Sequence, residues 1–283
     1  MQSQILNPLS IESEIAYFKP MLKREQYTSE IDRLLWRQET IRQRQERISL
    51  EVFDRCKGII QYGAFQGMKL SKETWWGKSD LGSQCLGLYE KEILDFIKNI
   101  TTHQYENFID IGAADGYYGI GMLLAKKCKQ SICFEISKEG RKTIQKNSIA
   151  NGVAENIYIQ SEASTQSIAA ISDAVFKNSL IMIDIEGSEF DLLNEKIFEK
   201  FSNSTILIEI HNWVDNFEEK YTALLRNSFI HHIVEVIKRV ERPTLHLEEL
   251  RDFTDDNRLL LISERRPCVM RFLKLTPLHL YAL

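Results

Sequence analysis

The chain has no Cys-x-x-Cys pair, no excess of positive charge, no apolar run long enough to span a bilayer, no internal repeat and no low-complexity tract. Each absence removes a class of answer. The five cysteines, Cys56, Cys85, Cys128, Cys133 and Cys268, are odd in number, which fits a reduced cytoplasmic protein with ordinary buried or free thiols rather than a disulfide scaffold. With 36 basic against 40 acidic residues and a formal charge of -4, a chain-wide affinity for nucleic acid or anionic membrane is disfavoured, and only a local basic patch stays open. The first residues, MQSQILNPLSIESEIAYFKP, carry neither a basic n-region with an apolar core nor a cleavage site, so a soluble cytoplasmic chain without a membrane span is expected.

What is present fits one large core with a smaller appendage, since the chain has 283 residues and a hydrophobic content of 43%. Residues 1–100 are expected to form a helical and irregular extension, a cap or an oligomerisation region, and residues 101–283 the main domain. Within the extension, Tyr27 to Val52 places Ile31, Leu34, Leu35, Ile41, Ile48 and Val52 at broadly helical spacings, which predicts one long amphipathic helix. Its charge-rich part, RQETIRQRQERISLEVF, suits self-association or a partner, or simply a solvated face. The stretch from Gly58 to Gly87 reads as an irregular segment, and LYEKEILDFIKNI returns to helical periodicity. Beyond it, apolar runs alternate with helical stretches: NFIDI, SICFEI, NIYIQ, LIMIDI and TILIEI. That alternation predicts an α/β fold, a mostly parallel sheet with helices on both faces. RLLLISERR (Arg258–Arg266) reads as one more strand, with HIVEVIKRV before it as its partner.

FIDIGAADGYYGIGM (Phe108–Met122) runs from a strand through a glycine turn into a helix, and in open α/β sheets such a turn after the first strand is a ligand site by default. A dinucleotide fingerprint starting at Gly112 would need glycine where Ala114 and Tyr117 stand, and a P-loop would need Gly-Lys before Ser or Thr. What remains is D-x-G-x-x-x-G, formed by Asp110, Gly112 and Gly116. This resembles the first motif of the class I S-adenosylmethionine methyltransferases, whose ligand is a sulfonium cation without phosphates. Acidic residues beside the turn suit its positive charges. A purely structural turn in an unrelated α/β protein is the alternative at this motif. Glu135, at the end of SICFEI, is spaced to accept hydrogen bonds from a ribose diol, against the reading of a solvated strand-end carboxylate.

LIMIDIEGSEFDLL (Leu180–Leu193) carries the argument further, because it resembles the fourth-strand motif of the FkbM-type methyltransferases. NSIANGV, ILIEIHNW, YGAFQGMKL, LGLYEKEI and NRLLLISERRP agree with it, and the resemblance spans roughly Tyr62 to Arg266. It implies a class I, Rossmann-like methyltransferase domain, S-adenosyl-L-methionine as cofactor, and O-methylation of a sugar, glycan or secondary metabolite. It also implies cofactor-binding roles for Asp110, Gly112, Ala113, Asp115, Gly116, Glu135, Asp184 and Glu186, and adenine contacts near Glu162.

An alcohol is barely ionised at neutral pH, so a base near the acceptor would help. Strand alternation puts Asp184 with Glu186, and Glu209 with His211, on shared faces. If the two strands adjoin, all four converge. His211 is expected to be the general base because an unperturbed imidazole titrates near neutrality, with Asp184 next. The alternative for His211 is a hydrogen-bonded histidine at a strand end. Asp184, Glu209 and His211 have suitable donor types for a divalent metal, but a metal-free site is favoured. Trp75 and Trp76 are either a lid over the acceptor or anchors of the irregular segment. Of Tyr117 and Tyr118, one is expected on the ligand and one in the core. Two other functions stay open: N-methylation of a protein or nucleic acid, against which the absence of an NPPY-type stretch counts, and a non-catalytic cofactor-binding scaffold for glycan assembly.

Overall fold

The computed structural model describes residues 12, 15, 16, 38–266 and 270–280. Seven strands form one sheet among them: β1 (Tyr105–Ile111), β2 (Cys128–Phe134), β3 (Ile157–Gln160), β4 (Ser179–Ile183), β5 (Thr205–Ile210), β6 (His232–Ile237) and β7 (Arg271–Pro277). Their order is β3-β2-β1-β4-β5-β7-β6. The first five run parallel, and β7 lies antiparallel between β5 and β6. This is a mostly parallel, Rossmann-like sheet. Because the chain winds outward from β1 to β3 and then returns to β4 beside β1, the winding reverses between β1 and β4. A crevice opens at their carboxyl ends.

Both faces of the central strands are buried, so they read as nearly continuous apolar runs. Phe108, Leu180, Met182 and Leu207 enter one core layer, and Ile109, Ile111, Ile181, Ile183, Ile206 and Ile208 enter the other. The first layer also takes Ile60, Phe65 and Met68 from the extension, so the extension shares the core of the sheet.

Among the helices used below, α1 is Ile41–Arg55, α2 Leu81–Cys85, α3 Lys91–Asn99, α4 Tyr117–Leu124, α5 Lys138–Ala150, and the four-residue α6 Glu189–Leu192; α7 is Asp255–Leu261. The expected single helix from Tyr27 to Val52 is interrupted at Glu39 and Thr40, with Gln38 before them helical and residues 27–37 of that expectation outside the described residues. Thr40 accepts a hydrogen bond from the Gln43 N–H while the Gln43 side chain accepts from the Thr40 N–H. This capping box sets the start of α1 at Ile41, and Ile41 is exposed rather than part of the apolar stripe. Ile48 and Val52 do pack, joining Leu81 and Leu86 with Leu247, Leu250 and Leu261.

The expected strand Arg258–Arg266 is a second correction. Thr254 caps α7 by accepting from the Asn257 N–H at 3.3 Å, and Asp255 and Asp256 occupy its first turn, a start signal that overrides the apolar run that follows. The strand that HIVEVI pairs with is instead β7. Cys56, Cys85, Cys128 and Cys133 are buried free thiols, and Cys268 lies outside the described residues. No helix among the described residues is long and apolar enough to cross a membrane.

Candidate active site

A cavity of about 580 Å³ lies in the crevice past β1 and β4, walled on one side by the extension and on the other by the segments after β4, β5 and α7. The glycine turn forms its floor. Gly112, at φ +95, receives the backbone of the neighbouring β4 segment so closely that a β-carbon there would meet the Asp184 carbonyl oxygen at 1.7 Å. Gly116, at φ +82, occupies the N-cap of α4. Asp110, 2% exposed, accepts the Gly119 N–H at 3.1 Å, and burial pushes its carboxyl up to about 7 even though that hydrogen bond lowers it. Its side chain therefore ties β1 to α4. Ala113 and Asp115 line the cavity.

Glu135 stands just past β2 and is engaged from both oxygens: one accepts the Ala114 N–H at 2.9 Å, the other the Ser137 N–H at 2.7 Å. It orders the glycine turn and the start of α5, and burial raises its carboxyl. Trp75 lies over it. A β-carbon at Gly140 would touch the Trp75 Nε1 at 2.6 Å and the Glu135 Cγ at 2.7 Å, so the indole and the carboxylate meet above this glycine. Trp76, largely exposed, packs edge-on against Trp75. Glu162 is exposed on the cavity rim.

The four groups expected to converge past β4 and β5 do so. His211 is 1% exposed, and its Nε2 faces Asp184 at 3.4 Å, Glu186 at 3.7 Å and Glu209 at 3.7 Å. Its Nδ1 lies 3.0 Å from Oε1 of Glu189, which also accepts the His211 backbone N–H at 2.9 Å. Burial opposes a charged ring, but the facing carboxylates of Asp184 and Glu189 outweigh it and raise the imidazole to about 10. A ring that titrates near its ordinary value, as a general base requires, is thus corrected. The carboxylates around it favour a cation at this ring, a proton in the first instance.

Sequence reasoning passed over Tyr89, Glu90, Glu189 and Arg266. Glu90, 1% exposed, takes a hydrogen bond from the Tyr118 hydroxyl and one from Arg266 at 2.9 Å. Arg266 also reaches Glu209 and Glu264. Tyr117 and Tyr118 both line the cavity and both lie in the core. These residues sat in stretches already singled out, LGLYEKEI, GSEF and SERRP. No local pattern signals that three segments so far apart in the chain meet.

The cavity carries ten lining carboxylates against two arginines and one histidine. Of the buried side-chain polar atoms without a hydrogen-bond partner among the described residues, Trp75 Nε1, Tyr117 Oη and Asp184 Oδ1 all belong to lining residues. Unpaired polar atoms are costly to bury unless a ligand completes them.

No protein-family model matches the chain, and no curated protein does. Solved structures are similar to it at a distance. Precorrin-6y C5,15-methyltransferase from Geobacter metallireducens shares 12% identity over 73% of this chain and 91% of that one, with a TM-score of 0.44. Ribosomal protein L11 methylase from Lactobacillus delbrueckii subsp. bulgaricus shares 14% over 66% and 76%, TM-score 0.42. A Streptococcus pneumoniae protein assigned as a tRNA (m1A22) methyltransferase, in complex with S-adenosyl-L-methionine, shares 14% over 67% and 73%, TM-score 0.43. Likeness this distant says nothing about substrate.

Proposed function

We propose that this chain is an S-adenosylmethionine-dependent methyltransferase that methylates a hydroxyl of a sugar, glycan or secondary metabolite. The observation that carries the reading is the acidic cavity at the β1/β4 switch point, with its glycine turn and three unpaired buried polar atoms. A cationic ligand suits a wall of ten carboxylates, and a phosphate-bearing one does not. The same charge speaks against a nucleic acid acceptor. The resemblance of LIMIDIEGSEFDLL to FkbM-type enzymes supports the hydroxyl.

The residues fit the cofactor by their donor chemistry. Glu135 has given one lone pair on each oxygen to the backbone and retains others for a ribose diol, since a carboxylate has about four acceptor sites. Asp184 and Glu186 offer negative charge to an ammonium group, and Glu162 stands where adenine contacts are implied. When bound, S-adenosylmethionine supplies a methyl group already activated by its sulfonium, so the protein's contribution is positioning and proton removal. Because the carboxylates around His211 favour a charged ring over a free base, the acceptor's proton goes to Asp184, whose Oδ1 has no hydrogen-bond partner. His211 is a positioning residue in this scheme, holding Asp184 and Glu186 at the cavity floor. The extension, through Trp75, Tyr89 and Glu90, walls the cavity and acts as its cap.

Calorimetric titration of the full chain with S-adenosylmethionine tests the reading. Saturable binding, together with a turnover loss of roughly a hundredfold in Asp184→Asn, is expected with hydroxylated sugar acceptors. Absence of binding would overturn it. Binding without turnover on any acceptor would favour the scaffold reading.

A further inference from the structure

We propose that Asp184, Glu186 and His211 form a binding site for one divalent first-row metal ion, with Glu189 orienting the histidine. The inference deepens the function proposed above and rests on it only for the ion's use, not for its binding.

Glu189 is fully buried, and its Oε1 takes the His211 backbone N–H at 2.9 Å while facing Nδ1 at 3.0 Å; its Oε2 accepts the Gly187 N–H at 2.9 Å. A carboxylate can only accept here, so Nδ1 carries a hydrogen. In the neutral ring the Nε2 lone pair then points at the carboxylates. That is the outer partner a metal-ligating histidine ordinarily has.

The spacing on the other side of the ring is that of ligands around an ion. Asp184 Oδ1 lies 3.4 Å from Nε2 and Glu186 Oε2 lies 3.7 Å from it, and one donor atom from each of the three residues falls within 4.8 Å of the others. Ordinary N–H···O bonds are about 2.7–3.2 Å, and Asp184 Oδ1 is buried with no hydrogen-bond partner. Two donors each about 2.1 Å from a common ion are about 3.0 Å apart at a right angle and about 3.4 Å apart at the tetrahedral angle. Two carboxylates gathered in this way around the ring nitrogen repel one another until a cation, the ring's own proton or a metal ion that replaces it, joins them.

The donor set narrows the ion. One imidazole and two carboxylates suit Mn²⁺ or a neighbouring first-row ion better than Ca²⁺, which gathers six to eight oxygens. The second cluster within reach, Glu90, Asp184 and Glu209, is a weaker candidate because Arg266 already pairs with Glu90 and Glu209. The Glu186 side chain is half exposed, which leaves the ion open to the cavity. There it would take the acceptor's hydroxyl oxygen as a further ligand and ease loss of its proton.

The experiment titrates Mn²⁺ into the chelator-treated full chain, without cofactor or acceptor, and follows free Mn²⁺ by electron paramagnetic resonance. One saturable site is expected. Glu186→Gln, whose half-exposed side chain the fold tolerates, should weaken it at least tenfold. His211→Ala and Asp184→Asn should do the same or more, and Glu189→Gln by roughly tenfold to a hundredfold. No saturable binding below about 1 mM, or undiminished binding in a folded Glu186→Gln, overturns the site. Calorimetry with S-adenosylmethionine on the same samples separates the two ideas: cofactor binding without Mn²⁺ binding defeats the ion alone, and the reverse defeats the proposed function alone.

Discussion

A β-carbon at Gly112 would stand 1.7 Å from the carbonyl oxygen of Asp184, so the first glycine of the turn is required by the neighbouring strand before any ligand arrives. Gly112→Ala combines a backbone clash with a side chain at φ +95. It should destabilise the chain by about 3 kcal/mol or more, read by chemical denaturation. A variant as stable as the wild type would mean that β1 and β4 are not registered as described.

Gly140 is the opposite case. It lies in the first turn of α5, where alanine is the better helix former by about 1 kcal/mol, yet its added methyl would press on Trp75 and Glu135. Gly140→Ala should keep the fold and weaken S-adenosylmethionine binding by roughly tenfold. Glu135→Ala should weaken it by about 1.5–3 kcal/mol, the scale of a lost charged acceptor. Calorimetry that finds both variants at wild-type affinity would remove Glu135 from the cofactor site.

Asp110 sets a pH dependence with a definite sign. Burial raises its folded pKa to about 7, against about 3.9 in the unfolded chain. Between those values the folded state keeps a proton that the unfolded state has released. The stability from this group is therefore present below about pH 4 and is lost as pH rises through 7. Relative to Asp110→Asn, the wild type should gain up to a few kcal/mol on going from pH 7.5 to 5, measured by paired urea unfolding curves. Parallel curves would show that the carboxyl is not held neutral.

Arg266 neutralises Glu90 and Glu209, which are 1% and 2% exposed. Removing one partner of a buried ion pair leaves the other uncompensated, at about 3–5 kcal/mol. Arg266→Met should show a loss of that order in guanidinium unfolding. A loss below about 1 kcal/mol, the range of surface pairs, would place these carboxylates in contact with water.

The sequence by itself determined the sheet's central strands, because residues buried on both faces of a parallel sheet leave short apolar runs, here repeated at intervals between helical stretches. It also determined the glycine turn, since positive φ at Gly112 and Gly116 favours glycine locally, although the close approach of Asp184 to Gly112 is a tertiary demand. It led to Asp184, Glu186, Glu209 and His211 by their place at the ends of such runs. Where local signals competed, it misled: the apolar run in NRLLLISERR outweighed the Thr254 cap that makes Asp255–Leu261 a helix. The tertiary structure alone decided that the His211 ring is raised above its ordinary range, because Asp184 and Glu189, carried on other segments, face it. It alone brought Glu90, Arg266 and Trp75 to the cavity. Electrostatics and burial depend on distances through space, and those are fixed only when the segments pack.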